Sequence, residues 1–543
     1  MSVTVTSPDP VASHSVAASH ESATKVPQGP DLNVLEDRVP EWLRAPRVLA
    51  LWTAIIGALY LVLSYQPLWH TDLWGHLAYG RWIWEHGSLP ETEPLMPLSR
   101  GVPYVDTAWM TQVAGYGLFQ RFGVPSMQMF YAATIAGSFI LLLAGVLRRT
   151  RGAIAAGFVA IITFAVADYQ QLLIVRPQLA GLVCFVALFT ILTAYRWRPA
   201  FWFVIPLLFA LWANLHGSFI VGLGLLATCC LGRAIDVYRH LPRVRAITAD
   251  PIVRRLFVLT ELAAVAVLAN PYGLGLYAEV FAVAGHPNLQ DLIEWEPLTL
   301  RMSQGKAFAG CGLALIFAYR FSPRRVRAGE VLLLVGLGGA ALWSSRMILW
   351  WAPVAAYYLA LHTAAIFRQP CSAALVPSPR SGKWTVVSVG LAWIFFAYTP
   401  FGVTLLHGSP QNPEVQPRRL ARCTSAQTPL DVAAYFHRHP PQGLIFNTYD
   451  WGDYLLWAGP RELHVFAASH AHLIPEEVWD DYLSILHTGS GWDNKLDQYG
   501  VNTVALDKDD RDSLLDALRS HETEWRVDYE DRRSVVFVRA ESI

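Results

Sequence analysis

Residues 47–76 read RVLALWTAIIGALYLVLSYQPLWHTDLWGH. The first twenty or so are apolar with no acid among them, long enough as a helix to cross a hydrocarbon layer. The run then breaks into His70-Thr71-Asp72, and a polar, aromatic helical segment follows. An apolar span that ends on a carboxylate and runs into an amphipathic helix is the organisation from which the rest of the chain is read.

Ten more apolar blocks follow. With the first they give candidate spans at 47–67, 126–147, 152–168, 178–195, 200–213, 217–232, 256–270, 307–320, 329–343, 347–367 and 384–404. The whole chain of 543 residues is 53% hydrophobic and 15% charged, against about a quarter charged in soluble domains. The fold class expected is therefore an α-helical polytopic membrane protein with about eleven transmembrane helices. The formal net charge of zero gives no basic excess of the kind that nucleic acid would need.

Charge placement gives the orientation. Arg44 and Arg47 precede the first span. Arg148, Arg149 and Arg151, then Arg196 and Arg198, then Arg233 through Arg255, then Arg320 through Arg327, then Arg368, Arg380 and Lys383 fill every second loop. Short loops rich in Arg and Lys stay in the cytoplasm. Eleven spans then put the C-terminus on the outer side of the cytoplasmic (inner) membrane. Residues 1–46, rich in Ser, Val, Ala, Pro and Thr without apolar periodicity, are expected to be a disordered cytoplasmic tail. They lack the basic and apolar regions of a cleaved signal.

Residues 405–543 alternate helix-like and strand-like stretches, which predicts a small extracytoplasmic α/β domain. Helices are expected at 429–437, 476–486 and 510–520, strands at 443–447, 463–467 and 501–507, and a closing hairpin over 525–529 and 534–539 around Asp531-Arg532. No GxGxxG, GxxxxGK[ST] or GxSxG pattern occurs. Of the six cysteines only Cys423 falls in this domain, so no disulfide framework is expected there.

The first external loop, 68–125, carries the chemistry. Asp72, His76, Tyr79, Ile83 and His86 form one stripe at helical spacing, and a second helix is predicted over 106–122 with Trp109, Val113 and Tyr116 on one face. Helices rich in Trp and Tyr suit a membrane interface. Glu91 and Glu93 are read as a solvated turn. Asp72 has the residue type and position of a general base, with His76 one turn away to share or tune the proton; the same Asp72 would also serve as a helix N-cap. Asp106 is a second good N-cap candidate. His76 and His86 read as surface histidines rather than metal ligands; Asp72 with His76 could hold one edge of a divalent-metal site, but no third ligand is evident. No cofactor is expected.

Other polar residues gather at the mouths of later spans on the same side. Arg176 and Arg346 lie against the positive-inside bias, and Arg matches phosphate oxygens bidentately. With His216 they are candidates for holding a donor phosphate. Headgroup snorkelling for Arg176, a polar hairpin cap for His216, and a helix-ending turn for Asn270-Pro271-Tyr272-Gly273 are the structural alternatives.

The motifs Asp72-Leu73-Trp74-Gly75-His76, Gly80-Arg81-Trp82-Ile83, Glu91-Thr92-Glu93-Pro94, Arg176-Pro177-Gln178, Trp212 through Gly217, Asn270 through Gly273, Glu294-Trp295 and Asn447 through Leu455 resemble the GT-C class of membrane glycosyltransferases. That class includes protein mannosyltransferase-like and lipid A aminoarabinose transferase-like enzymes. The resemblance spans nearly all of the chain after residue 45. It implies two helices lying along the membrane in the first external loop, over a transmembrane domain of residues 47–404. It also implies a hexosyl or pentosyl transfer from a polyprenyl-phosphate sugar to a lipid, glycan or protein acceptor, with inversion and with Asp72 in the acidic catalytic position. Asp106, Trp109, Asn214 and Tyr272 are the candidate substrate-binding residues. The sequence departs from the pattern where Asp72-Leu73-Trp74-Gly75-His76 stands for an expected Asp-Trp-Trp-His, where Thr107-Ala108 precede Trp109 in place of His-Glu, and where Ala468-Ser469-His470 stand for Asp-Gly-Arg. A non-catalytic scaffold or lipid-sugar binding protein is the alternative function, and a transporter a third, although no internal repeat of the spans is visible.

Overall fold

The computed structural model describes residues 46–69, 72–367, 379–399, 401–402, 405, 420–510 and 513–540. The N-terminal tail, His70 and Thr71, and the segment with Arg368 and Cys371 lie outside them.

Each of the eleven apolar blocks is a helix. We label the helices α1 (Arg47–Leu63), α2 (Asp72–His86), α3 (Trp109–Phe122), α4 (Val124–Arg149), α5 (Ile154–Ala167), α6 (Gln178–Leu192), α7 (Phe201–Leu215), α8 (Phe219–His240), α9 (Pro251–Val267), α10 (Gly275–Ala284), α11 (Ser303–Phe321), α12 (Ala328–Trp343), α13 (Ile348–Ile366) and α14 (Pro379–Tyr398). By length and composition α4 and α8 are able to cross a membrane, and shorter apolar helices surround them. Several helices stop early because polar residues take over at their ends: Asp168 follows α5 and His216 follows α7.

Helix α13 is the pillar of the bundle. It is apolar all round, and every residue from Ile348 to His362 is buried. A helix of that kind belongs inside a bundle. It packs chiefly on α5, then on α12, α11, α4 and α6. Both α13 and α5 bring fully buried alanines to the core, Ala352, Ala355 and Ala360 on one and Ala156 and Ala160 on the other. Small side chains let helix backbones approach where no water drives association. The outer helices present the reverse pattern. Phe203, Leu207 and Leu211 on α7, Val258, Leu262 and Val265 on α9, and Leu313, Ile316 and Phe317 on α11 are exposed at roughly helical spacing. Such belts fit a hydrocarbon surround.

The C-terminal part holds helices α15 (Leu430–Arg438), α16 (Gly452–Ala458), α17 (Glu476–Leu486), α18 (Trp492–Gln498) and α19 (Ser513–Ser520). Its strands are β1 (Leu444–Asn447), β2 (His464–Val465), β3 (Thr503–Asp507), β4 (Trp525–Glu530) and β5 (Ser534–Arg539), in the order β2-β1-β3-β5-β4. Strand β1 is parallel to β2 and β3, and β5 is antiparallel to β3 and β4. Strands β1 and β3 are buried at every position, as central strands covered on both faces should be. Helices α16 and α18 have no counterpart in the sequence expectation. At seven residues each they are too short for periodicity to declare them.

This sheet domain sits on the first loop. Leu68 N–H donates to the Cys423 carbonyl at 2.6 Å, and Ser425 N–H donates back to Leu68 at 3.1 Å. Helix α16 packs on α2, with Trp74 edge-on to Tyr454 at 5.3 Å and Arg81 donating to the carbonyls of Leu456 and Trp457. Helix α2 is therefore covered by α3 on one side and α16 on the other. Gly75 and Gly80 permit this: a Cβ on Gly75 would meet the Asp453 carboxylate, and one on Gly80 would fall on the Gln112 carbonyl of α3. Glu93, expected in a solvated turn, is instead buried. It accepts from the Tyr79 hydroxyl at 2.8 Å and from the backbone N–H groups of Leu95 and Met96. The carboxylate folds the crossing segment back under α2, which no spacing rule reveals.

Gly80→Ala should lower stability by about 1–3 kcal/mol, the usual cost of overpacking, because the obstructing atom is backbone. Gly137→Ala, with open space around it, should not. Thermal melts of the detergent-solubilised variants check this; equal melting temperatures for the two would refute the close-approach argument.

Candidate functional site

The loops at 168–177, 216–218, 268–274, 285–302 and 344–347 meet at one end of the bundle: Asn214 donates to the Ala269 carbonyl, Arg176 to Glu294, and Ser345 N–H to the Glu296 carbonyl. The first loop and the sheet domain cover that end. Described basic loops meet away from it, where Arg149 lies over the Tyr195 ring, Arg255 over the Trp197 ring, and Arg233 pairs with Asp250 at 2.7 Å.

At the covered end four charged side chains form a chain of ion pairs. Arg176 Nε lies 3.3 Å from Asp72 Oδ2, without the alignment of a hydrogen bond. Arg176 Nη1 donates to Glu294 Oε2 at 2.6 Å, and Arg346 Nη1 donates to Glu294 Oε1 at 2.9 Å. Arg346 Nε also reaches Gln178 Oε1 at 3.3 Å, and its guanidinium lies 5.4 Å from the Trp295 ring centre. Arg176 is buried, and Asp72 keeps 13% of its side-chain surface accessible. Burial pushes the Glu294 carboxyl up, but Arg176 and Arg346 outweigh this and hold it below the usual carboxylate range. Asp72 is the first described residue of α2, and a guanidinium stands within reach of its carboxylate.

His76 and His216 stand by this chain. Burial, opposed by Asp72 and reinforced by His216, Arg176 and Arg346, lowers the His76 pKa to about 4. Burial and the two arginines lower that of His216 to about 3. Both are neutral imidazoles at pH 7. His216 Nδ1 accepts from Ser218 N–H at 3.0 Å, which leaves its Nε2–H to donate. His76 Nδ1 faces Gln112 Nε2 at 3.3 Å, and the same Nε2 donates to Asp106 Oδ1 at 3.0 Å. An amide NH2 only donates, so His76 too carries its proton on Nε2.

Asp106 also accepts from Ala108 N–H at 2.9 Å, while its own N–H donates to the Tyr272 hydroxyl at 3.1 Å. Helix α3 begins at Trp109 with Ala108 as the capping residue. Asp106 therefore braces the turn before the helix and does not itself cap it. Buried, its carboxyl is pushed up to about 7. Trp109 Nε1 donates to Asn214 Oδ1 at 3.0 Å, and Asn214 Nδ2 donates to the carbonyls of Ala210 and Ala269. Asn214 thus ties α3 to α7 and α9, a scaffold role for the polar atoms of both residues. The Asn270 side chain accepts from Tyr272 N–H at 2.7 Å, closing the expected turn. Among the described residues no cluster of three metal-ligand side chains has metal-binding geometry.

The sheet domain supplies residues that the sequence expectation omits. His470 is buried, its ring 5.3 Å from that of His76 and 4.5 Å from Tyr79. Burial, with His76 adding to it, lowers its pKa to about 3. Tyr449 donates to the Ser469 carbonyl at 3.0 Å, and burial together with the nearby charges of Asp72, Asp453 and Glu294 raises its phenol well above the ordinary range. Asp453 accepts from Ser469 N–H at 3.2 Å. Glu294, the hub of the ion pairs, was visible only as part of Glu294-Trp295. His470 was visible only as a departure from pattern.

No family model matches the chain, and no curated protein sequence does. Among solved structures it is similar to ArnT from Cupriavidus metallidurans, solved bound to undecaprenyl phosphate. The TM-score is 0.50 at 14% identity, over 92% of this chain and 99% of that one. At that identity the likeness is one of fold. The chain has a GT-C-like fold: a helical bundle, loop helices and a small C-terminal sheet domain.

The buried neutral His470 makes acid sensitivity predictable. A folded-state pKa near 3 against an ordinary value near 6.5 means that stability is complete above about pH 6.5 and is lost as pH falls below it. The loss per such histidine is about 1.4 kcal/mol by pH 5.5. The melting temperature should fall between pH 7.5 and 5.5, and less steeply in His470→Gln; parallel curves would show that His470 is not buried neutral.

Proposed function

We propose that the protein is an inner-membrane glycosyltransferase that takes a sugar from a polyprenyl-phosphate donor at the extracytoplasmic face. The observation that carries this reading is the convergence of Asp72, Arg176, Glu294 and Arg346, from four distant segments, at one covered end of an apolar bundle. Charged groups so placed are costly and mark function more often than architecture. The GT-C-like fold, and the undecaprenyl phosphate held by the solved neighbour, support a lipid-phosphate substrate.

In this reading the basic loops face the cytoplasm, residues 47–404 span the membrane, and residues 405–543 form the external domain. The acceptor is a lipid, glycan or protein bearing a hydroxyl. Asp72 takes the hydroxyl proton while the oxygen attacks the anomeric carbon from the face opposite the phosphate. The new C–O bond forms as the sugar–phosphate C–O bond breaks, and the polyprenyl phosphate leaves with the electron pair. Arg176 and Arg346 hold the phosphate, for which it must compete with Glu294. His76 and His216 donate Nε2–H to substrate oxygens as neutral groups, and Trp109, Asn214, Asp106 and Tyr272 shape the wall where the acceptor lies. A groove of about 260 Å3 between α8 and α12 reaches Met347, next to Arg346. Gly224, Leu225, Gly336 and Leu337 line it, a bed suited to a prenyl chain.

The four ion-paired charges sum to zero, and this favours a second reading. A site already balanced without substrate could bind a lipid-linked sugar and not turn it over. Asp72→Asn separates the two. It keeps the shape and removes the base, so transfer from a panel of radiolabelled polyprenyl-phosphate sugars should fall by at least about 100-fold, with donor binding and melting temperature retained. Unchanged transfer would remove Asp72 from the mechanism; binding without transfer in the wild type would favour the second reading.

A further inference from the structure

A second concavity lies outside the site. It has a volume of about 290 Å3 and is walled by the outward face of α2, the crossing between α2 and α3, and the turn between α16 and β2. Arg81, nine residues beyond Asp72, lines it, which places it roughly 13 Å along α2 from the ion-paired site.

Its charge is one-sided. Arg81, Arg100 and Arg461 line it together with His464, against a single carboxylate, Glu85, among the described residues there. Arg81 is locked in place. Its Nη1 and Nη2 donate to Trp457 O and Leu456 O, each at 3.1 Å, and its guanidinium lies 4.8 Å from the Trp457 ring centre. Two of its five N–H groups are thereby used. Burial lowers the Arg81 pKa, and Arg461 adds to this against the pull of Glu85, so the two guanidiniums repel each other across the cavity. Arg100 and Arg461 are exposed. Among the described residues none of the three arginines has a carboxylate partner within ion-pair distance. Elsewhere in the sheet domain arginines do pair: Arg519 with Glu530 at 2.7 Å and Arg533 with Asp507 at 2.6 Å. Gathering like charges around a concave volume is unfavourable until an anion enters, and guanidiniums on converging walls suit oxyanions in particular.

We propose that this cavity binds a phosphate group borne by a ligand outside the hydrocarbon, at a subsite separate from the ion-paired one. The bearer is either a soluble sugar phosphate or the headgroup of an anionic lipid. The subsite does not depend on the transferase reading.

The test is binding without turnover, on the full chain in phosphatidylcholine nanodiscs, with glucose 6-phosphate as probe and glucose as neutral control. Intrinsic tryptophan fluorescence reports it, since Trp82 lines the cavity. The variant is R100A/R461A, which removes two exposed side chains and leaves Asp72, Arg176 and Arg346 untouched. Saturable glucose 6-phosphate binding that weakens at least tenfold in the variant, with no response to glucose, is the expected result. Competition by phosphatidylglycerol in the nanodisc, in the wild type alone, would assign the phosphate to a lipid headgroup. Indifference to phosphatidylglycerol would assign it to a soluble ligand. Equal affinity in wild type and variant, or no saturable binding, would overturn the subsite while leaving the role of Asp72 open to its own test.

Discussion

The ion-pair chain from Asp72 through Arg176 and Glu294 to Arg346 is the constraint on which the covered end depends. Its members come from the start of α2, the segment before α6, the loop after α10 and the turn before α13. Each charge alone in that setting would be expensive, and paired they are tolerable. The pairing therefore fixes where four loops stand relative to one another, beside hydrogen bonds such as Ser345 N–H to the Glu296 carbonyl at 2.8 Å and Ser345 Oγ to the Glu294 carbonyl at 3.0 Å. The same groups are those a phosphate would engage, so architecture and ligand compete for one set of donors.

The second constraint is steric. Helix α2 is gripped between α3 and α16 because Gly75 and Gly80 carry no side chain toward either. That grip brings His470 over His76 and Tyr449 toward Asp72. The loop that holds Glu294 is tied to the sheet domain as well: Asn288 donates to the carbonyls of Ala471 and Ile474 at 2.9 Å, and Trp479 donates to Asp291 at 2.9 Å. The sheet domain is part of the candidate site's roof, and any movement of it moves Glu294.

Legibility in the sequence followed the range of the interactions. Short apolar runs bounded by turn residues are local signals, so the helices and strands β1, β3, β4 and β5 are readable close to their true bounds. Arg176 and Arg346 stood out because a cation on the wrong side of an apolar block is a local anomaly. Glu294 did not, because its partners lie 118 and 52 residues away and a lone acid in a loop looks solvated. Glu93 is illegible for a different reason: its partners, Tyr79 and the backbone N–H groups two and three residues on, are near in sequence, but its burial depends on how the crossing segment folds back under α2. His470 could be found only by knowing that the sheet domain turns back onto α2.

The strand order has a consequence in time. Strand β5, the strand furthest along the chain, lies inside the sheet between β3 and β4. A ribosome emits the helical bundle first, yet the sheet is completed only when residues 534–539 have emerged. Tyr449 and His470, which cover Asp72, thus leave the ribosome long after it, and the strand that completes their sheet follows later still.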